Sequence, residues 1–327
     1  MSGQGSKRVA VVAGDGIGPE VVESALEVLR AAGADLDLVH VEVGLGRWKR
    51  TGEAMGDEDL ETIRECDCIL FGAITTPPDP GYRSVLLRLR RALDLYANIR
   101  PFQSKDLDFV IVRENTEGLY SGVEEVGEEE SRTTRVITRL GSERIAEVAS
   151  DLAAKRRLLT IIHKSNVLKS DWLFLQTCRT VAERRGIPYE DMLVDAAAYN
   201  LVRNPKRFDV LVTTNLFGDI LSDEAAGVVG SLGLCASANI GASRALFEPI
   251  HGSAPDIAGK GIANPVGAIR SAAMMMEWLG DARIASRIES AVQKALAAGV
   301  KTPDLGGSCS TADVTRAVAG YLLAGEC

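Results

Sequence analysis

Asp219 and Asp223 lie four residues apart in Asn215-Leu216-Phe217-Gly218-Asp219-Ile220-Leu221-Ser222-Asp223-Glu224, which on a helix stacks them one turn apart on a common face. Two stacked carboxylates repel unless a cation lies between them, and oxygen-only donors suit Mg²⁺ or Mn²⁺. The segment directly follows the apolar run Val210 to Thr213. The carboxyl end of a strand is where open α/β sheets bind ligands, which favours a cation site over a solvated helix face. Asp195, after Leu193-Val194, is a candidate third ligand completing a three-carboxylate site, or else a helix N-cap.

Arginines form a second group: Arg90 in Leu89-Arg90-Arg91, Arg100 in Asn98-Ile99-Arg100-Pro101, and Arg113 closing Ile111-Val112-Arg113. A guanidinium at the end of an apolar strand is costly unless paired, and its planar fork matches a carboxylate. A polycarboxylate ligand satisfies all three; ordinary pairing with Asp94 or Glu114 is the plainer alternative. Tyr120 and Lys164 are candidates for proton transfer. Lys164 ends the apolar run Leu158 to Ile162, where burial and neighbouring cations lower an amine's pKa. Taken singly, either is equally a strand-end side chain turned to solvent.

The loop Gly14-Asp15-Gly16-Ile17-Gly18 lacks the third glycine of the Rossmann fingerprint, and no Walker A sequence occurs. A better nucleotide candidate is His251-Gly252-Ser253-Ala254-Pro255-Asp256-Ile257-Ala258-Gly259-Lys260-Gly261-Ile262-Ala263-Asn264-Pro265. Its small residues let backbone approach a flat ligand, and Asp256 suits ribose hydroxyls. A long structural loop is the alternative.

These groups need strands and helices to hold them. Strand Arg8 to Val12, a turn, and a helix with Val21, Val22, Ala25, Leu26 and Leu29 at three-four spacing open a βα unit. Strands over Leu36 to Val43 and Cys68 to Gly72, with a helix over Asp57 to Arg64, extend it into a largely parallel, doubly covered sheet. Phe109 to Arg113, Leu158 to His163, Met192 to Val194 and Phe208 to Thr213 continue the alternation. Ser121 to Arg135 interrupts it and reads as a hairpin or arm. The chain has 327 residues, 46% apolar and 25% charged, enough for two domains. Net charge is −8 and no basic cluster stands out, which excludes a nucleic-acid binder. No apolar run reaches the roughly 18 residues of a membrane span, and the N-terminus lacks a signal's apolar stretch, so a cytoplasmic location is expected. Six scattered cysteines have neither zinc-site spacing nor the density of a disulfide scaffold.

Six stretches, in order, resemble the β-decarboxylating dehydrogenases of isocitrate, homoisocitrate and 3-isopropylmalate over nearly the whole chain. They are Gly14 to Glu20, Leu95 to Pro101, Val112 to Tyr120, His163 to Val167, Asn215 to Asp223 and Phe247 to Pro265. The resemblance implies that family's two-domain α/β fold with parallel or mixed sheets, not a Rossmann fold. A large cofactor-side domain comes from residues 1–98 and 232–327, and a small domain from 99–231 carries a dimerisation arm at about 121–140, with the active site in the cleft. It also implies a homodimer or higher homo-oligomer with shared sites. Lys164 and Asp195 then reach across the interface into the partner's site, while Asp219 and Asp223 bind Mg²⁺ or Mn²⁺ within the subunit. Lys164 accepts the hydroxyl proton and Tyr120 protonates the enolate. Arg90, Arg100 and Arg113, with Ser84 and Asn166, hold a small polycarboxylate. Cofactor contacts come from Ile17, Thr75, Glu248, His251, Gly252, Ser253, Ala254, Asp256, Ile257 and Asn264. Asp256-Ile257 suits NAD⁺, since NADP-type members carry Lys-Tyr there.

Substrate choice is expected to rest on Pro80-Gly81-Tyr82-Arg83-Ser84-Val85-Leu86-Leu87-Arg88-Leu89-Arg90. Helical spacing predicts Arg83, Leu86, Leu87 and Arg90 on one face around the substituent at C3 of a (2R,3S)-malate. Leu86 and Leu87 fit an isopropyl group. Arg83-Ser84 and the Pro-Gly-Tyr lead-in look more like the homoisocitrate and isocitrate enzymes, the preferred reading, with 3-isopropylmalate the alternative. A non-catalytic regulatory subunit is a different class, disfavoured because Lys164, Tyr120 and all three aspartates are present.

Overall fold

A computed structural model describes residues 6–79 and 81–325; Pro80 and Cys327 lie outside the described residues. The chain divides into two units. The first comprises Met1–Leu93, Ser231–Ala238 and Ser243–Cys327; the second comprises Asp94–Gly230 and Asn239–Ala242.

In the first unit the strands run in the order Leu36–His40, Lys7–Gly14, Cys68–Ala73, Ala245–Pro249, all paired in parallel; the next strand, Ala236–Ile240, gives its last two residues to the second unit. All of Cys68–Ala73 is buried, as the continuous apolar run of a strand covered on both faces requires. The helix Gly18–Ala31 has Pro19 in its first turn and buries Val21, Val22, Ala25, Leu26 and Leu29. The second strand stops at His40, so the expected extension to Val43 is shortened: Val41 still donates its N–H to Val11, but Gly44, with φ +113°, turns the chain into the helix Leu45–Thr51.

The second unit orders its strands Ala97–Gln103, Asp108–Glu114, Val210–Thr213, Leu159–His163, Tyr189–Leu193. The first pair is antiparallel and the rest parallel. The sheet is therefore mixed. Only four residues separate Gln103 from Asp108, too few for a parallel crossover, which takes about a dozen. Helices Arg139–Ala153 and Lys169–Arg184 pack Ile145, Ala149, Phe174, Leu175, Cys178 and Val181 against Val110, Val112, Ile161 and Val212. Residues 121–135 form an exposed hairpin, Glu124–Val126 against Ser131–Thr133.

Candidate active site

Arg113 is the largest fully buried side chain, 1% exposed at the end of its strand. Its Nε and Nη2 donate to Asn215 Oδ1 at 3.0 and 2.7 Å, and Nη1 donates to Asp219 Oδ1. Arg100 Nη1 lies 3.7 Å from the same oxygen, and Arg100 Nε donates to Asn98 Oδ1 at 2.6 Å. Tyr120 Oη donates to Asp219 Oδ2 at 2.8 Å, its ring 5.5 Å beneath the Arg113 guanidinium. Asp219 thus gathers two arginines and a phenol. Gly218 makes this possible, because a Cβ there would lie 2.7 Å from Arg113 Cβ and Cγ.

Asp219 and Asp223 both fall in the helix Asn215–Val229, as their spacing predicts. Asp223 keeps much of its surface in solvent, yet protein crowds one side of it. That crowding raises its carboxyl pKa; the Arg100 charge opposes, Asp219 adds to the rise, and Arg113 opposes again. Two carboxylates one helix turn apart are an oxygen donor set that fits a hard divalent cation.

Asp195 sits elsewhere. It lies in the first turn of the helix Val194–Arg203, capped by Leu193, not at a strand end and not as the cap. Its Oδ1 accepts from Lys164 Nζ at 2.7 Å, and this hydrogen bond holds the carboxyl below the usual range. Among the described residues no three His, Cys, Asp or Glu side chains gather as metal ligands. Within one subunit, Lys164 takes up Asp195. Lys164 directly follows the strand Leu159–His163. Asn166 is exposed two residues further on.

In the first unit, Arg90 is buried and pairs with Glu248 at 3.2 Å. The glycine-rich turn holds the late loop. Ile17 N–H donates to Ser253 O at 2.9 Å, Thr75 Oγ donates to Ser253 Oγ at 2.6 Å, and Gly16, with φ +61°, lies so close that a Cβ would strike Ser253 O. Asp15 is spent on structure, accepting from the Leu45, Gly46 and Thr75 N–H groups. Ala254 adopts a left-handed conformation, φ +36°, and accepts from Ile257 N–H. Asn264 binds Asp304 and the N–H of Val266. Gly252 and Asp256 are exposed. His251 Nδ1 contacts Gly252 O at 2.9 Å, while its Nε2 is buried without a partner among the described residues. Burial holds the imidazole below its usual pKa, so it is neutral at pH 7. An orphaned ring nitrogen and an exposed carboxylate in one loop suit the adenosine half of a dinucleotide.

Arg83 does not share a helical face with Leu86, Leu87 and Arg90. Ser84 is the N-cap of the helix Val85–Ala92, its Oγ accepting from Leu87 N–H at 3.4 Å, so Arg83 precedes the helix. It is exposed and lines a surface cavity of ≈ 550 Å³ with Trp48, Glu53, Met55, Asp57 and Arg88. Among the described residues it pairs with no carboxylate.

Sequence reasoning missed the asparagines that fix the arginines. Asn239 Oδ1 accepts from Asn98 Nδ2 at 2.8 Å and Asn115 Nδ2 at 2.9 Å. All three are buried. The signal was an amide inside an apolar strand, which must find partners.

The chain matches the family described as isocitrate/isopropylmalate dehydrogenase over residues 8–318. It is 44% identical over 340 residues to the homoisocitrate dehydrogenase of Methanocaldococcus jannaschii, covering 96% of this chain and 97% of that protein. It is 48% identical over 330 residues to the 3-isopropylmalate/3-methylmalate dehydrogenase of the same organism, covering 95% and 98%. Among solved structures, isocitrate dehydrogenase from Methylococcus capsulatus superposes with a TM-score of 0.92 at 44% identity, over 97% of this chain and 99% of that one. The chain belongs to the isocitrate/isopropylmalate dehydrogenase family and is a β-decarboxylating dehydrogenase. Dehydrogenases of this family generally depend on NAD(P) and a divalent metal and are typically oligomeric. The relatives are named as homoisocitrate and as 3-isopropylmalate/3-methylmalate dehydrogenases.

Proposed function

We propose that the protein is a cytoplasmic, homodimeric, NAD⁺-dependent enzyme that oxidises and decarboxylates a 3-substituted malate, homoisocitrate or isocitrate. The observation that carries this reading is the gathering of Arg100, Arg113 and Tyr120 on Asp219, one turn from Asp223. Arg90, Arg100 and Arg113 bind the carboxylates and fix the substrate's orientation. Lys164, oriented by Asp195 and acting across the dimer interface, takes the proton of the C2 hydroxyl. Tyr120 Oη delivers a proton to the carbon that loses CO₂. Asp219 and Asp223 would hold Mg²⁺ or Mn²⁺, and Asp256, Ile257, His251 and Asn264 would hold the adenosine half of NAD⁺. When bound, the cation supplies Lewis acidity toward substrate oxygens and NAD⁺ supplies the hydride acceptor. Asp256 repels a 2′-phosphate, which favours NAD⁺ over NADP⁺.

The dimer is supported by apolar side chains left bare on the second unit: Val126 of the hairpin, Tyr199, Val202 and Ile220 are all at least half exposed. The five described cysteines are free, in keeping with a reducing compartment. The acidic substituent is supported by Arg83, an exposed guanidinium with no carboxylate partner among the described residues. The half-buried Leu86 and Leu87 support 3-isopropylmalate instead. Initial rates on the three acids, with wild type and Arg83→Ala, decide between them. The expected result is a loss of about 10- to 100-fold in kcat/KM for homoisocitrate or isocitrate, the worth of one charged hydrogen bond, with little change for isopropylmalate. Equal losses on all, or wild-type activity confined to isopropylmalate, would move the assignment to the leucines.

A further inference from the structure

Behind Lys164 lies an ion pair with a fully buried carboxylate that the chemistry above does not use. Asp171, in the first turn of the helix Lys169–Arg184, is 0% exposed. Its Oδ2 accepts from the Lys164 backbone N–H at 2.6 Å, and its Oδ1 accepts from Arg135 Nη1. Arg135 Nη1 also donates to Ser170 Oγ at 3.2 Å. Its Nη2 donates to Thr214 Oγ at 2.9 Å, and its guanidinium lies 5.1 Å over the Phe217 ring. Thr214 is the N-cap residue of the helix that carries Asp219 and Asp223.

One carboxylate therefore pins the main chain of Lys164, and its counter-ion pins the start of the acidic helix. Both oxygens of Asp171 are engaged, so the carboxylate is fixed and so is the residue it holds. Replacing a buried pair by apolar residues is often neutral or stabilising, so fold stability alone does not call for Arg135 and Asp171. Proton transfer does, because a displacement of about 1 Å at a reacting group costs about 100-fold in rate.

We infer that Asp171, braced by Arg135, is a positioning residue that sets the main chain of Lys164 for proton transfer and ties it in register with the Asp219–Asp223 helix. The inference rests on the reading of Lys164 as the proton acceptor. Asp171 touches no substrate, so its loss should appear in kcat and leave KM alone.

The test uses the full-length enzyme and four variants: Asp171→Ala, the uncharged pair Asp171→Leu/Arg135→Met, Lys164→Ala, and Lys164→Ala/Asp171→Ala. The apolar pair keeps the test informative if Asp171→Ala strands the Arg135 charge and unfolds. Expected are a fall of about 10- to 100-fold in kcat for the folded Asp171 variants, KM within threefold of wild type, and a larger isotope effect with C2-deuterated substrate. Adding Asp171→Ala to Lys164→Ala should cost nothing further, since residues acting as a unit are non-additive. If Lys164→Ala is inactive while the folded apolar pair keeps wild-type kcat, the positioning role is wrong and the base assignment stands. An undiminished rate in Lys164→Ala overturns the base assignment itself. A further loss in the Lys164→Ala background, equal to that in wild type, overturns the link between Asp171 and Lys164 and leaves only a structural role.

Discussion

Asp219→Asn is expected to lower kcat by about 10²- to 10³-fold, the cost of removing one preorganised electrostatic contact from an active site, and to weaken Mn²⁺ binding in the same protein. Asparagine keeps the shape and one acceptor oxygen for Arg113, and its amide NH2 can donate to Tyr120 Oη in place of the hydrogen bond that Oδ2 accepts, so the cluster around residue 219 can still assemble. What disappears is the negative charge that cancels two arginines and, with Asp223, makes a cation welcome. Circular dichroism and thermal melting on the same preparation separate loss of function from loss of fold. Turnover near the wild-type rate at limiting metal would remove Asp219 from the ligand set, leaving it as the counter-ion of Arg113.

Tyr120→Phe is the second large effect, about 10²- to 10⁴-fold in steady-state turnover, the range for a positioned proton donor. The ring stays under the Arg113 guanidinium, so substrate carboxylates should bind as before and KM should change little. Tyr120 acts after hydride transfer in the proposed sequence. Rapid mixing should therefore show NADH formed at close to the wild-type rate in the first turnover, followed by a slow steady state. A first turnover slowed as much as the later ones would place the phenol at the oxidation step.

What the sequence disclosed, and what it hid, divides along physical lines. The Asp219–Asp223 spacing was legible because a helix converts four residues into one turn whatever packs around it. The expected hairpin at 121–135 and the helix Asp57–Arg64 appear in the structure for similarly local reasons. Asp195 was read at the end of a strand, but the strand Tyr189–Leu193 gives way directly to a helix at Val194, and periodicity does not resolve so abrupt a change. Arg83 misled because the spacing argument ran through Ser84, whose side chain caps the helix and stops the periodicity. Arg113 was recognised as costly where it stands, but Asn215 and Asp219 that neutralise it are over a hundred residues away. The Arg135–Asp171 pair is non-local in the same sense, its residues separated by a whole helix and strand.

The account turns on a metal-assisted oxidation coupled to loss of CO₂, and the most direct measurement is the simultaneous yield of NADH and CO₂. Purified enzyme is given NAD⁺, Mg²⁺ and, in separate reactions, homoisocitrate, isocitrate and 3-isopropylmalate, then excess EDTA, then Mn²⁺. Equal amounts of NADH and CO₂ are expected with at least one tricarboxylate, both stopped by EDTA and both restored by Mn²⁺. NADH formed without CO₂, or a rate that EDTA leaves untouched, would contradict it.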